Sequence, residues 1–193
     1  MKQRIFAYLA TLCLLVPVLL AASPRAHADE ALWAALREGR AFAMMRHALA
    51  PGTGDPANFD VNDCATQRNL SVEGREQARR TGDAFRDNGI MMAEVMTSAW
   101  CRCRDTASLM NLGTPQVLPA LNSFFQNRSQ RDPQTEALKQ WLGGWLGSRP
   151  LVLVTHQVNI SALTGYFTSS GEIVVVERDV SDGVKVLGSI SPQ

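Results

Sequence analysis

The sequence predicts an α/β fold, a three-layer α/β/α sandwich around a mostly parallel mixed sheet. Three observations support this prediction. Short apolar runs typical of strands alternate with amphipathic segments typical of helices. The run at residues 151–154 is apolar without interruption, as expected for a strand buried on both faces. The turn Ser181-Asp182-Gly183 joins the last two predicted strands as an antiparallel hairpin, which makes the sheet mixed.

Residues 1–28 are predicted to be an export signal. Two basic residues open the segment, residues 6–20 are mostly apolar, and an Ala-His-Ala sequence at its end fits a small-x-small cleavage site. The apolar run is shorter than the roughly 20 residues that span a bilayer, and Pro17 interrupts it. We therefore expect residues 29–193 to form one periplasmic or secreted domain without a membrane span.

The composition of the predicted mature chain excludes some functions. Removal of residues 1–28 changes the formal net charge from +1 to −2, because three basic residues and no acidic ones are lost. Such a chain has no basic field to bind nucleic acid. Its length suffices to bury about 70% of the surface exposed by the unfolded chain. Two histidines remain, His47 and His156, and so their positions are informative.

The other elements follow from apolar spacing and from capping residues. Ser71 is expected to cap the helix that follows it, and the next helix is expected to begin near Arg102. The predicted strands cover residues 41–45, 94–98, 116–118, 151–155, 173–176 and 184–187, and the predicted helices cover residues 30–40, 70–86, 102–112, 135–146 and 158–164.

A long loop is predicted over residues 122–133, and it contains Phe124 and Phe125. Loops of this length often act as lids or face a substrate. Packing of the two rings on the core is the alternative, and the sequence leaves both open.

Three cysteines remain in the predicted mature chain. In an oxidising compartment, one disulfide and one free thiol are expected. Cys101 and Cys103 are too close in sequence to pair easily, so Cys64 is expected to be one partner, and the choice of the other stays open. A zinc site on the Cys-x-Cys pair is an alternative, but it would need further ligands.

Charged side chains lie where three predicted strands end. Arg46 and His47 follow the predicted strand 41–45, and His156 follows the predicted strand 151–155. Arg102 lies where the predicted strand 94–98 leads into the next helix. Ligands of open α/β sheets bind beyond the carboxyl ends of the strands, and helix N-termini favour anions. Guanidinium groups bind phosphate, and a neutral imidazole can attack phosphorus. The sequence therefore predicts a phosphoryl-transfer site.

Four motifs in order carry a family resemblance. They are Arg46-His47-Ala48, the Leu-Ser-x-x-Gly-x-x-Gln-Ala sequence at residues 70–78, the Ser98, Arg102, Thr106 and Ala107 set, and His156 at the end of an apolar strand. With them the chain resembles the histidine phosphatase superfamily, in the branch shared with phosphoglycerate mutases. The resemblance implies a phosphoglycerate mutase-like fold and chemistry with neither a metal nor a cofactor. It also implies that His47 attacks the phosphoryl group while Arg46, Arg102 and His156 hold it.

The chain departs from the pattern of this superfamily at several positions. Thr53 stands where many members carry an asparagine that contacts phosphate, and Gln157 replaces the glycine after the second histidine. Both are expected to bind substrate. In this superfamily the general acid is usually a glutamate that follows a leucine after the Arg102 motif. That glutamate is not recognisable here, since residues 121–123 read Leu-Asn-Ser. The candidates for a general acid are Asp55, Asp63, Asp132 and Glu136, and Asp55 is the first choice because it is nearest in sequence to His47.

The expected function is hydrolysis of a phosphomonoester outside the cytoplasm, through a phosphohistidine intermediate. The substrate would be a small molecule such as a sugar phosphate, or an envelope component. The alternative is a non-catalytic protein that binds phosphate groups and has lost the general acid. A mutase is a weaker third option, because mutases act on cytosolic metabolites and this chain carries a predicted export signal.

Overall fold

The computed structural model describes residues 24–179 and 183–192. Most of the predicted export signal, residues 1–23, lies outside this range, as do Ser181 and Asp182 of the predicted hairpin turn. The first helix begins at Pro24, inside the segment that is predicted to be removed. Within the described residues, no helix is both long enough and apolar enough to cross a membrane.

Six strands and five α-helices alternate along the described chain. The strands are β1 (Ala41–Arg46), β2 (Glu94–Thr97), β3 (Gln116–Val117), β4 (Leu151–Thr155), β5 (Ile173–Asp179) and β6 (Gly183–Ile190). The helices are α1 (Pro24–Arg37), α2 (Val72–Asp87), α3 (Cys101–Met110), α4 (Arg131–Gly144) and α5 (Gln157–Thr164). Ser71 caps α2 as predicted, with its hydroxyl accepting the Gly74 N–H.

The strands form one mixed sheet in the order β3-β2-β4-β1-β5-β6. The first four strands of this order are parallel, and β5 and β6 are antiparallel to their neighbours. Arg46 pairs with Thr155, and Thr97 pairs with Val154. The carboxyl ends of β1, β4 and β2 therefore lie level at one edge of the sheet.

The alternation of side chains along the strands builds a core on each face of the sheet. In β1, Ala43 and Met45 pack with α1, α2 and α3 on one face. Phe42 and Met44 pack with α4 and α5 on the other face. Helices therefore cover both faces, and the predicted three-layer α/β/α sandwich is confirmed.

The starts of two helices differ from the sequence prediction, since α1 begins at Pro24 rather than at residue 30 and α4 begins four residues before its predicted start. Helix α4 begins at Arg131, whereas the sequence predicted a loop through residue 133. Pro133 is the third residue of the helix, where a backbone N–H has no intrahelical partner, and so proline is tolerated there. The carboxylate of Asp132 in the same turn stabilises the helix by interacting with the positive end of its dipole. The loop is therefore shorter than predicted.

Candidate active site

A pocket of about 220 Å³ lies at the edge where the parallel strands end. All seven residues that were predicted for the site line it, namely Arg46, His47, Thr53, Asp55, Arg102, His156 and Gln157. The structure therefore brings the seven predicted residues together in one pocket. Their roles in chemistry follow from the contacts of each side chain.

His47 follows β1 directly and is held as a neutral base. Its backbone N–H donates to the Thr155 carbonyl (2.9 Å), and its side chain is buried. Nδ1–H donates to the Ala48 carbonyl (2.8 Å), so Nε2 carries the lone pair. Burial lowers the pKa of His47 to about 3; the bond to Ala48 opposes this shift, and the charges of Arg102 and Arg46 add to it. The imidazole is therefore neutral, with its lone pair on Nε2.

The loop after β1 is held in place by residues of two sequence motifs. The Ala48 N–H donates to the Thr106 hydroxyl (3.0 Å), and the Leu49 N–H donates to Oε1 of Gln77 (2.9 Å). Gly74 allows α2 to approach this loop, because a Cβ there would lie 2.0 Å from the Leu49 carbonyl oxygen. These motif residues fix the backbone that orients the His47 ring.

Arg102 lies in the first turn of α3, with a buried side chain. Its Nε–H donates to Nε2 of His47 (3.2 Å). Its Nη1 and Nη2 donate to the two oxygens of Asp55 (2.6 and 3.1 Å), and Nη1 also donates to the Arg68 carbonyl (3.2 Å). A guanidinium has five N–H bonds in one plane, and four of them are used. The fifth lies on Nη2, parallel to Nε–H, and so this edge faces the lone pair of His47.

The contacts of Asp55, the predicted general acid, favour its ionised form. Both oxygens bind Arg102, and each accepts one further hydrogen bond, from Trp100 Nε1 (3.0 Å) or from the Arg68 N–H (3.1 Å). Burial acts to raise the pKa of Asp55, but the hydrogen bonds and charge of Arg102 outweigh it and the pKa is lowered. Asp55 is therefore paired as a carboxylate with Arg102.

His156 lies opposite His47, at the start of α5. The two rings meet edge to face, with centroids 5.5 Å apart. Nε2 of His156 is hydrogen bonded to the Ser98 hydroxyl (2.9 Å). Burial lowers the pKa of His156 well below its usual value, and the charge of Arg102 lowers it further. A neutral imidazole at this position can donate a hydrogen bond to an anion without carrying a charge.

The pocket carries a surplus of positive charge. Arg46, Arg68 and Arg102 line it, and Asp55 is the one carboxylate among the described lining residues. Burial lowers the pKa of Arg46 and of Arg68, and the charge of Arg102 lowers both further. Three guanidinium groups around one carboxylate favour binding of a multiply charged anion such as phosphate.

Arg68 is a pocket residue that sequence reasoning missed. Its Nε donates to the Gly54 carbonyl (2.8 Å), and its Nη1 donates to the Ala50 carbonyl. It lies in an irregular loop without periodicity, and so no pattern marked it. The available signal was Cys64, whose predicted pairing beside Arg102 brings the loop before α2 to the site.

The loop residue Thr53 lies between two glycines in the left-handed region, Gly52 (φ +92°) and Gly54 (φ +71°). Residues with a side chain rarely adopt these angles, so the glycines allow the tight path that brings Thr53 to the pocket.

The two phenylalanines of the predicted loop 122–133 have different places: Phe124 is buried in the core, and Phe125 lines the pocket with 40% of its surface exposed.

A disulfide joins Cys64 to Cys101, which resolves the choice that the sequence left open. It ties the loop that carries Arg68 to the first turn of α3, directly before Arg102. Cys103 is free and buried, and burial raises the pKa of its thiol to about 12. The zinc alternative is wrong, because the sulfur of Cys101 is bonded to Cys64. Across the described chain, no three His, Cys, Asp or Glu side chains are grouped to hold a metal ion.

No family model and no curated protein matches the chain. Solved structures do match in fold. The protein histidine phosphatase SixA complexed with tungstate has a TM-score of 0.57 and 18% identity, over 79% of this chain and 97% of that chain. The mycobacterial glucosyl-3-phosphoglycerate phosphatase Rv2419c, in complexes with VO3, has a TM-score of 0.58 and 16% identity, over 76% and 96%. Rv3214 from Mycobacterium tuberculosis has a TM-score of 0.58 and 16% identity, over 76% and 95%. The predicted phosphoglycerate mutase-like fold is confirmed by these similarities.

Proposed function

We propose that the chain is a phosphatase in which His47 accepts the phosphoryl group and water then releases it, with no metal ion. One observation carries this proposal: Nε2 of His47 holds a lone pair directed toward the guanidinium of Arg102. Two of the structurally similar proteins are named as phosphatases and were solved with the oxyanions tungstate and VO3. The resemblance of the sequence motifs supports the same chemistry.

The first step is attack of Nε2 of His47 on phosphorus. The bond from phosphorus to the leaving group breaks, and the leaving group departs with the electron pair. The Nε–H of Arg102 moves from the His47 lone pair to a phosphoryl oxygen, and Arg46 and His156 bind the other oxygens. These donors stabilise the charge that the transition state spreads over its equatorial oxygens.

The second step is attack of water on the phosphohistidine. The phosphorus–nitrogen bond breaks, inorganic phosphate forms, and His47 recovers its lone pair. Burial keeps the free imidazole neutral, since it lowers the pKa of His47 to about 3, and so the base is ready for the next cycle. Thr53 and Gln157 line the same pocket and would bind the substrate.

The proposed substrate lies outside the cytoplasm, in the periplasm or beyond it. The predicted export signal at residues 1–28 supports this location, and the disulfide of Cys64 and Cys101 is compatible with an oxidising compartment. The proposed substrate class is a phosphorylated small molecule or envelope component. Cell fractionation of the full chain and of a variant lacking residues 1–28 tests the location: only the full chain should leave the cytoplasm.

Release of phosphate from p-nitrophenyl phosphate by residues 29–193, with EDTA present, tests the reaction. Activity that survives EDTA and is lost in His47→Ala supports the proposal. A folded wild type without activity, which is stabilised against heat by phosphate, favours the alternative of a non-catalytic phosphate-binding protein. The ion pair of Asp55 with Arg102 is the observation that supports this alternative.

A further inference from the structure

The one carboxylate among the described pocket residues is committed to a cation. We propose that Asp55 is a positioning residue for Arg102, and that the site consequently cleaves phosphoryl groups from leaving groups that depart without a proton from the protein. Such leaving groups are anions stable near neutral pH, as in phosphoanhydrides, acyl phosphates and activated aryl phosphates such as p-nitrophenyl phosphate. This inference rests on the proposed phosphatase function and specifies its substrate class.

The surroundings of Asp55 favour its anion at both oxygens. Oδ1 accepts from Arg102 Nη1 and from the Arg68 N–H, and Oδ2 accepts from Arg102 Nη2 and from Trp100 Nε1. The side chain is 4% exposed. A proton on either oxygen would have to displace one of these four N–H donors, and it would leave the buried guanidinium without its carboxylate. Proton donation by Asp55 is therefore opposed by each hydrogen bond that its side chain accepts.

The same contacts explain what Asp55 does. It binds the Nη1–Nη2 edge of Arg102 from one side, and this leaves the Nε–Nη2 edge directed at Nε2 of His47. A phosphoryl group that His47 attacks would lie against this edge. Loss of Asp55 would release the guanidinium from its orientation. Because the phosphoryl group is common to all substrates, this loss should affect all of them equally.

The other described side chains of the pocket bind without donating a proton. His156 is neutral, and its Nε2 is engaged with Ser98. Gln126 and Gln157 carry amides, which donate hydrogen bonds but are not acids near neutral pH. The carboxyl end of β5 lies at the opposite edge of the sheet from the pocket, since Glu177 of β5 pairs with Ala41 at the start of β1. The carboxylate of Glu177 is therefore remote from the pocket.

The step balances without an acid. The His47–phosphorus bond forms, the bond from phosphorus to the leaving oxygen breaks, and the oxygen keeps the electron pair as a stable anion. Water then cleaves the phosphohistidine. An alkoxide would need a proton in the first step, and general acid catalysis typically contributes about 10²- to 10⁴-fold there. The site therefore favours a phosphoanhydride end of an envelope component over a simple sugar phosphate.

A series of leaving groups tests the inference. We would measure kcat/KM of residues 29–193 for aryl phosphates of rising leaving-group pKa, for an alkyl phosphate and for inorganic pyrophosphate. The expected result is a steady fall with leaving-group pKa, with the alkyl phosphate at least about 10³-fold below p-nitrophenyl phosphate. Similar values for alkyl and aryl phosphates would overturn the inference. No turnover of p-nitrophenyl phosphate by the folded wild type would instead overturn the proposed function.

The variant Asp55→Asn separates positioning from proton donation. Positioning predicts that every substrate loses about the same factor, roughly 10- to 100-fold, with the slope of the series unchanged. An acid role predicts a steeper slope, with the loss confined to poor leaving groups. Asp55→Glu, which keeps the negative charge, should recover part of the activity. Asp83→Asn removes an exposed carboxylate from a pair with Arg86 and should stay within about two-fold of wild type. If Asp55→Asn does not fold, the dependence of wild-type kcat/KM on leaving-group pKa still tests the inference.

Discussion

Nε of Arg102 donates to Nε2 of His47 across 3.2 Å. The cation is thus held at the atom that the proposed reaction uses as nucleophile. When His47 bonds to phosphorus, its lone pair is consumed, and this N–H is free to bind a phosphoryl oxygen. The same contact therefore joins the proposed nucleophile, His47, to the guanidinium that would stabilise the transition state.

Replacement of Arg102 by Ala should lower the rate of the chemical step by about 10²- to 10³-fold, the range typical of a preorganised electrostatic group. Single-turnover kinetics with p-nitrophenyl phosphate measures this rate. Arg102→Lys should recover little, because one ammonium cannot bind Asp55 and a phosphoryl group bidentately at once. Arg104→Ala, on the exposed side of α3, is the control and should be nearly neutral. A loss of only a few fold in Arg102→Ala would contradict the assigned position.

Replacement of Gly74 by Ala should destabilise the protein by about 1–3 kcal/mol, the usual range for overpacking. The added Cβ would lie 2.0 Å from the Leu49 carbonyl oxygen, so α2 or the loop after β1 must move. Chemical denaturation measures the change. Gly143→Ala in α4 is the control, because nothing lies within 4 Å of the position that a Cβ would take there. It should be neutral or stabilising by up to about 1 kcal/mol. Equal effects of the two variants would refute the close approach.

The free energy of unfolding should fall as the solution is acidified below about pH 6.5. Folding lowers the pKa of His47 to about 3, and so the unfolded chain binds a proton that the folded chain does not. The sign is therefore a loss of stability toward acid. His47→Asn should reduce the slope by about 1.4 kcal/mol per pH unit between about pH 4 and 6. Denaturation at several pH values checks this, and identical slopes would show that His47 titrates normally when folded.

Reduction of the disulfide should lower the free energy of unfolding by about 2–4 kcal/mol. Activity should fall as well, because the bond holds the loop of Arg68 against the turn that carries Arg102. Denaturation and p-nitrophenyl phosphate hydrolysis, each with and without reductant, measure the two effects. The double variant Cys64→Ser, Cys101→Ser is the control and should not respond to reductant. Full activity after complete reduction would refute the link to the site.

The fold could be predicted largely because its central strands are apolar runs. The buried strands β1 and β4 both appear in the sequence as uninterrupted apolar segments that lead to a histidine. The start of α4 was missed, since Pro133 is typical of a loop as well as of a first helical turn. The sequence alone does not show which of the two applies, because the packing of Leu138 and Leu142 on the sheet selects the helix.

Seven pocket residues were predictable from the sequence, but Arg68 and the ion pair of Asp55 were not. His47 and His156 follow strands whose register sets them side by side, and this can be inferred from sequence. The state of Asp55 depends on Arg102, which lies 47 positions away. Its contact with Trp100 and the Arg68 backbone likewise arises only when the loop folds over α3. A charge pair of this kind has no sequence spacing that identifies it.

Detection of phosphate on His47 tests the central claim most directly. Residues 29–193 would be mixed with p-nitrophenyl phosphate, quenched in alkaline denaturant within the first turnovers, and analysed by mass spectrometry of the peptides. The account predicts a phosphoryl group on His47 that withstands alkali and is lost in acid, and none in His47→Asn. Steady turnover by the wild type with His47 unmodified throughout, or with phosphate on another residue, would contradict it.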